Sequence, residues 1–275
     1  MGLRVNTNIG SLAAQKDLAT VTERLQRNFQ HLASGLRITN ASDDPAGLGI
    51  SERMRAQLRS LSQVARNGQD GVSLVQTAEG VLHEGNANLV RMRELAIQAA
   101  NGTLNTGDRA VLNEEFQAMI QEIDRLATTA NFNGVSLLNN GTGTIDIQIG
   151  TEAGDVITLN LQDTTSTALG LLGASFDVLT VTNASNTLDV IDNAIDLLTS
   201  TRGSLGAAQN RIESAIRSIR DLEQNLSASE SRIRDIDIAA ETADLTRNTI
   251  LQQASVSVLS QANVQPQIAL ALLQG

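Results

Sequence analysis

The sequence predicts a mainly α protein: a long antiparallel helical bundle or coiled coil formed by the N- and C-terminal segments, with a small β-hairpin region in the middle. Three observations predict it. Through the last quarter, apolar residues recur at alternating three- and four-residue spacing: Leu205, Ala208, Ile212, Ala215, Ile219, Leu222, Leu226, then Ile233, Ile236, Ala240, Ala243, Ile250 and Ala254. A mean period of about 3.5 is that of helices wound around partner helices. At the amino end Leu18, Leu25 and Leu32 fall seven apart, with Val21 and Phe29 beside them. Finally, the 275 residues include four Phe, no Trp and no Tyr. Aromatics dominate most cores, so this one is built from aliphatic helix packing.

Taken in order, the first helix is expected from about Ile9 to Leu36, with Gly35 as its stop. Ser42-Asp43-Asp44-Pro45 starts a second, with an acidic cap and proline at the first helical position. Leu58, Leu61, Ala65, Val72, Val75, Leu82, Leu89 and Ala96 form one stripe of it, and Leu74, Ala78, Val81, Met92, Leu95 and Ala99 a neighbouring one. The helix therefore buries a wide face. Arg66-Asn67-Gly68-Gln69-Asp70-Gly71 reads as a loop on propensity alone. Yet the stripe keeps its phase across it, which predicts a continuous helix with glycines at a close backbone approach. Asn101 to Gly107 is expected to be a loop, followed by a short helix carrying Leu112, Phe116, Met119, Ile123, Leu126 and Ala130. Ile145, Ile147 and Ile149, then Ile157, Leu159 and Leu161, alternate with polar residues around turn residues Gly150 to Asp155, predicting a hairpin at about 144–161. Helical spacing returns at Leu188, Ile191, Ile195 and Leu198. No Gly or Pro occurs from Ala207 through Gln265, so the final stripe is expected on one long helix.

The net charge of −10 is unevenly placed: residues 1–66 carry nine basic and five acidic side chains, 67–200 four and seventeen, and 201–275 seven and eight. An acidic middle disfavours nucleic-acid binding, which needs a basic footprint. Absence of Cys excludes a disulfide framework and thiolate metal sites. No stretch approaches the roughly 18 apolar residues of a membrane span. Met1 to Ser11 lacks the apolar run of a cleavable secretory leader; composition alone would place the protein in the cytoplasm.

No catalytic, cofactor-binding or metal-ligating constellation is apparent. His83-Glu84 lacks the second His of a zinc-peptidase helix, since Ala87 occupies that place. His31 and His83 both read as helix-surface residues. Gly102 to Asp108 has the glycine spacing of a phosphate loop but puts Asp108 where the lysine must be. The paired carboxylates Glu114-Glu115 and Asp43-Asp44 fit helix-start roles better than acid–base work. No nucleophile elbow of the Gly-x-Ser-x-Gly type occurs. The Asn140-Gly141-Thr142 sequon does not by itself establish a glycan.

The first and last 40 or so residues differ from the rest. Their stripes are narrow and rich in Ala, Ser, Thr and Asn. Ordering a residue costs on the order of 1–2 kcal/mol, whereas burial returns roughly 25 cal/mol per Å². Alone, such segments are expected to be marginal and to gain structure against copies of themselves.

Read in order, these segments resemble bacterial flagellin over essentially the whole chain. The match runs through Asn6-Thr7-Asn8, Leu32-Ala33-Ser34-Gly35-Leu36-Arg37-Ile38-Thr39, Asp43-Asp44-Pro45-Ala46-Gly47-Leu48-Gly49-Ile50-Ser51 and Arg66-Asn67-Gly68-Gln69-Asp70-Gly71. It continues through Arg91-Met92-Arg93-Glu94-Leu95-Ala96-Ile97-Gln98, Phe132-Asn133-Gly134, Gly206-Ala207-Ala208-Gln209-Asn210-Arg211, Ile250-Leu251-Gln252-Gln253-Ala254 and Gln261-Ala262-Asn263. The resemblance implies a non-enzymatic, extracellular subunit that polymerises into a helical filament for swimming, in a short form lacking variable outer domains. It implies export in the unfolded state by the flagellar type III apparatus without a cleaved leader. Implied partners are identical copies, an export chaperone, and the filament-cap and hook-junction proteins.

It further implies an inner coiled-coil domain, 1–44 with 234–275, that lacks order in the monomer, and an outer bundle, 45–233. The expected self-assembly stripe is Leu18, Leu25, Leu32, Ile233, Ile236, Ala240, Ala243, Ile250 and Ala254. The patch read by the flagellin-sensing Toll-like receptor of animals would map to Arg91, Leu95 and Glu115, although Val90 stands where strongly recognised members carry a polar residue. Two rivals are a hook–filament junction protein, which would be made in few copies, and a soluble helical-bundle binding module, which would stay monomeric.

Overall fold

The computed structural model describes residues 7–139, 143–173 and 176–274. Asn6 and the Asn140–Thr142 sequon lie outside them, as do residues 1–6 of the expected inner domain. The elements are α1 (Ile9–Ser34), α2 (Pro45–Ala99), α3 (Thr106–Thr129), β1 (Asn131–Phe132), β2 (Val135–Ser136), β3 (Gly143–Gln148), β4 (Val156–Leu161), α4 (Val181–Arg234) and α5 (Ile238–Gln274). The mainly α class with a central hairpin is thus what the chain adopts. It divides into two compact units: residues 1–58 with 224–275, and residues 59–223.

The second unit holds the extensive core. Val75, Ala78, Leu82, Leu89, Met92, Leu95 and Ala99 of α2 face Phe116, Ile120 and Ile123 of α3 and Ile191, Leu198, Leu205 and Ile212 of α4. The wide α2 face anticipated from its two stripes is needed because two helices and a hairpin pack on it. The helix runs unbroken through Asn67-Gly68 and Gly71. A Cβ at Gly68 would lie 2.9 Å from Ile216 Cγ1, and one at Gly71 only 2.5 Å from Ile147 Cδ1. Those glycines are notches for α4 and the hairpin, so packing overrides the loop propensity of the segment.

The hairpin is antiparallel with Ile145 opposite Leu159 and Ile147 opposite Ile157. Ile147, Ile157, Leu159 and Leu161 are buried, as the alternation requires. A smaller hairpin pairs β1 with β2 through Asn133 and Gly134, both at positive φ, the backbone that Asn-Gly supplies in primed turns. Asp124 of α3 anchors the connection between β4 and α4: its carboxylate accepts from the Ser166 amide and hydroxyl, both at 2.7 Å.

α3 starts one residue before the anticipated loop would end. Asn105 caps it and Asp108 returns the bond in a capping box. Asp108 is therefore a capping residue. Glu114 and Glu115 lie more than two turns inside α3 and are not helix-start groups, contrary to expectation.

The C-terminal stripe does not lie on one helix. α4 ends at Arg234 and α5 restarts at Ile238. Neither Gly nor Pro marks the break; hydrogen bonds make it. Leu36 and Asp235 form a β-bridge, the Arg37 amide donates to Arg234 O at 2.7 Å, and the Ile236 amide donates to Gly35 O at 3.2 Å. Asp237 then caps α5, its Oδ1 accepting from the Ala239 and Ala240 amides. Competition for the backbone from the chain around Gly35, itself the left-handed cap of α1, interrupts the helix.

Candidate assembly surface

The first unit is built on α1 and α5. Residues of α1 on the covered side are Ser11, Ala14, Leu18, Val21, Leu25, Asn28 and Leu32, spaced three and four apart without a gap. Among the described side chains of α5, Glu241, Leu245, Asn248, Gln252, Ser255, Leu259 and Ala262 are less exposed and again fall at three–four spacing, with Thr249 beside them. Both rows are heptad seams, and the two helices pack side by side along them.

This seam is unusually polar. Asn248 Nδ2 donates to Asn28 Oδ1 at 2.8 Å in a buried position, and Asn28 Nδ2 donates to Glu241 Oε1 at 2.6 Å. Ser11 Oγ donates to Asn263 Oδ1 at 2.8 Å, and Asn8 Nδ2 to Ala262 O at 2.7 Å. His31 stands between two carboxylates, Nδ1 3.4 Å from Glu241 and Nε2 3.6 Å from Asp43. It is therefore part of this junction and not a surface histidine; His83 is exposed as expected. Asp43 accepts from the Thr39 and Asn40 amides at 3.0 and 2.9 Å. Those bonds, led by the one from Asn40, hold its carboxyl below the ordinary aspartate value, with His31 adding to the effect. Arg234 donates to Glu52 at 2.7 Å, which lowers that carboxyl as well.

The predicted stripe divides accordingly. Leu25 is buried, and Leu18 and Leu32 lie half-buried in the α1 seam. Ile233 and Ile236 are half-buried near the α4–α5 break. Ala240, Ala243 and Ala254 are exposed, and Ile250 is 61% exposed. Those α5 residues do not face α1, because hydrogen bonding turns the Glu241–Asn248 side of the helix inward instead. Leu222 of the longer C-terminal apolar row is also exposed, as is Phe29 of α1 at 58%. Sequence reading missed Asn8, Asn28 and Asn248. For Asn28 the signal was present: it lies seven residues after Val21, as Ser11 lies seven before Leu18, so a heptad count that admitted polar residues would have found it, whereas Asn8 and Asn248 fall outside the expected apolar rows.

In the second unit Arg91 donates through Nε to Glu115 Oε1 at 2.9 Å and through Nη1 to Glu94 Oε2 at 2.9 Å. Glu115 and then Glu94 hold the guanidinium firmly in its charged form. Leu95 is only 1% exposed, so it lies in the core and not on the surface beside that pair. Among the described residues no helix is long and apolar enough to cross a membrane, and no three potential ligand side chains gather as a metal site.

A helical chain whose terminal helices join through hydrogen bonds while exposing apolar residues belongs with the self-associating structural proteins. Comparison with known proteins makes this specific. Residues 5–144 match the model of the bacterial flagellin N-terminal helical region, and residues 188–273 that of the C-terminal helical region. A flagellin of Halalkalibacterium halodurans is 44% identical over 98% of this chain and 99% of its own length. A Bacillus subtilis flagellin is 42% identical over 99% of this chain and 100% of its own. A 30.7 kDa flagellar filament core protein of Treponema maltophilum is 39% identical over 98% and 99%. The crystal structure of Bacillus cereus flagellin superposes with a TM-score of 0.51 at 32% identity, over 60% of this chain and 94% of that one. The chain belongs to the bacterial flagellin family.

Proposed function

We propose that this chain is the structural, non-enzymatic subunit of a bacterial flagellar filament, a polymer of many identical copies outside the cell that drives swimming. The observation that carries the mechanism is the placement of apolar side chains on helices already paired with each other. Ile250, Val256 and Val258 of α5 and Leu12 and Phe29 of α1 are 52–61% exposed. Identical copies supply the cover, through contacts that repeat without closing and so generate a fibre.

In this reading residues 1–44 and 234–275 form the inner coiled coil, without lasting order in the free subunit, and residues 45–233 the outer bundle. The division of the isolated chain at 58 and 224 supports a related two-part organisation with longer terminal parts. Export in the unfolded state fits the absence of Cys and the meagre seam of the terminal helices. An export chaperone, the filament cap and the hook-junction proteins are its other partners. For the innate receptor, Arg91 and Glu115 offer an exposed charged pair, and Leu95 acts from beneath by fixing the α2 surface that carries Arg91.

Salting out the purified protein with ammonium sulfate in the presence of filament seeds tests the reading. Negative-stain images are expected to show fibres. A compact, solitary species by light scattering under every such condition would overturn it.

A further inference from the structure

We infer that Asn8 sets the register in which α1 lies along α5, by donating to the backbone carbonyl that Pro266 leaves without a partner. In an α-helix each carbonyl accepts from the amide four residues later. Residue 266, inside α5, is proline and has no N–H to give, so Ala262 O lacks its helical donor. Asn8 Nδ2 donates to that oxygen at 2.7 Å. The other end of the same amide is also used: Asn8 Oδ1 accepts from the Ser11 amide at 3.0 Å and caps α1. One side chain thus satisfies a free donor at the start of one helix and a free acceptor inside the other.

The uniqueness of that acceptor gives it meaning. Pro266 is the one proline of α5, so no second carbonyl of this helix is vacated in the same way. A seven-residue slide would carry the Asn8 donor to carbonyls already bonded within α5 and strand Ala262 O. Apolar heptad rows cannot make this distinction, because after a shift of seven they meet residues of the same kind; a polar group in a seam can. Ser11 Oγ to Asn263 at 2.8 Å adjoins the mark, and the buried Asn28–Asn248 pair is a second one farther along. The pairing within the chain is therefore chosen by hydrogen bonds. This concerns contacts inside one molecule and goes beyond the filament reading.

The chain has no Cys, so disulfide trapping reports the register cleanly. In full-length protein, Ser11→Cys with Asn263→Cys traps the observed register, and Ser11→Cys with Val256→Cys traps a slide of one heptad. Both pairs are oxidised before and after salting out. Asn8→Asp keeps the capping acceptor but removes the donor, and Asn8→Ser keeps a capping oxygen without adding charge while its hydroxyl, unlike the carboxamide, is too short to cap α1 and reach Ala262 O together. Each is expected to lower the in-register product roughly fivefold, the weight of about one hydrogen bond, with the slipped product rising. Pro266→Ala restores a helical donor to Ala262 O, so in that background both Asn8 variants should have no further effect. The inference is overturned by an equal drop in both backgrounds, by no drop, by a drop with Asp alone, or by absence of in-register product from the parent pair in either state. Failure to form fibres would count against the filament reading and leave the crosslink ratio of the unassembled protein intact as a measure of register.

Discussion

The two compact units are held together by different means. In residues 59–223 the interior is continuous and aliphatic, with Phe116 against Phe176 at 5.3 Å between ring centroids. Ion pairs there, such as Arg93 with Asp192 at 2.7 Å, sit at the rim, and buried hydroxyls such as those of Ser166 and Thr187 are hydrogen-bonded within the unit. The terminal unit has its polar groups in the seam, Asn28 with Asn248, and large apolar groups outside, Ile250 and Phe29. Burial of apolar area supplies most of the stability of a fold, whereas a hydrogen bond contributes about 1 kcal/mol net and is sensitive to direction. The bundle is thus built for stability. The paired ends are built for a definite mutual fit, with their apolar area unspent.

Placing a charge on the outward face of α5 should have the largest effect. Ile250→Asp is expected to abolish seeded fibre growth, because a contact between copies would bury an unpaired carboxylate. The unassembled chain should keep its stability to within about 0.5 kcal/mol, since the residue is exposed there. Asp189→Asn, on the exposed side of α4, should change neither. Equal growth rates of the two variants, measured by light scattering, would break the comparison.

Next in size is the core contrast. Phe116→Ala should destabilise the bundle by about 3–5 kcal/mol, and Leu25→Ala the terminal pair by about 2 kcal/mol, in denaturation followed with separate probes in each unit. A smaller effect comes from pH. The Asp43 carboxyl is depressed in the folded state, so its contribution is fully present above the ordinary aspartate value of about 4. It is lost as pH falls through the lowered value. Thermal melting of the terminal unit from pH 6 to pH 2, roughly spanning that range, should show this loss, and Asp43→Asn should flatten it. The smallest effect on stability is expected from Glu115→Gln, because its ion pair with Arg91 is exposed to solvent. Binding of the innate receptor should nevertheless weaken, which surface plasmon resonance would register.

The periodic rows of α2, α3 and α4 and the alternation of Ile145–Ile149 with Ile157–Leu161 made the bundle and hairpin legible in the sequence. Even the glycine-containing stretch of α2 was readable, because phase outlasts a local propensity. The break at Asp235–Asp237 was not, since its cause is a bridge to Leu36, some 200 positions earlier, and periodicity carries no record of a distant backbone donor. The seam of α5 was hidden for a related reason. An apolar count ranks Ile250 above Asn248, but Asn28 makes Asn248 the inward residue. The Arg91–Glu115 pair was recognisable by resemblance; the burial of Leu95 needed the packed bundle to be seen.

The hairpin keyed into α2 has a practical consequence. Ile147 fills the notch at Gly71, and the strands are anchored by Leu159 and Leu161, while Thr151, Glu152, Ala153 and Gly154 in the connecting turn are exposed. Lengthening such a turn adds little closure entropy, about 0.6 kcal/mol per doubling. A foreign peptide grafted at Ala153 would therefore leave its host intact, and a fibre whose contacts between copies leave this turn uncovered would carry the graft at a fixed spacing, as a regularly ordered epitope array.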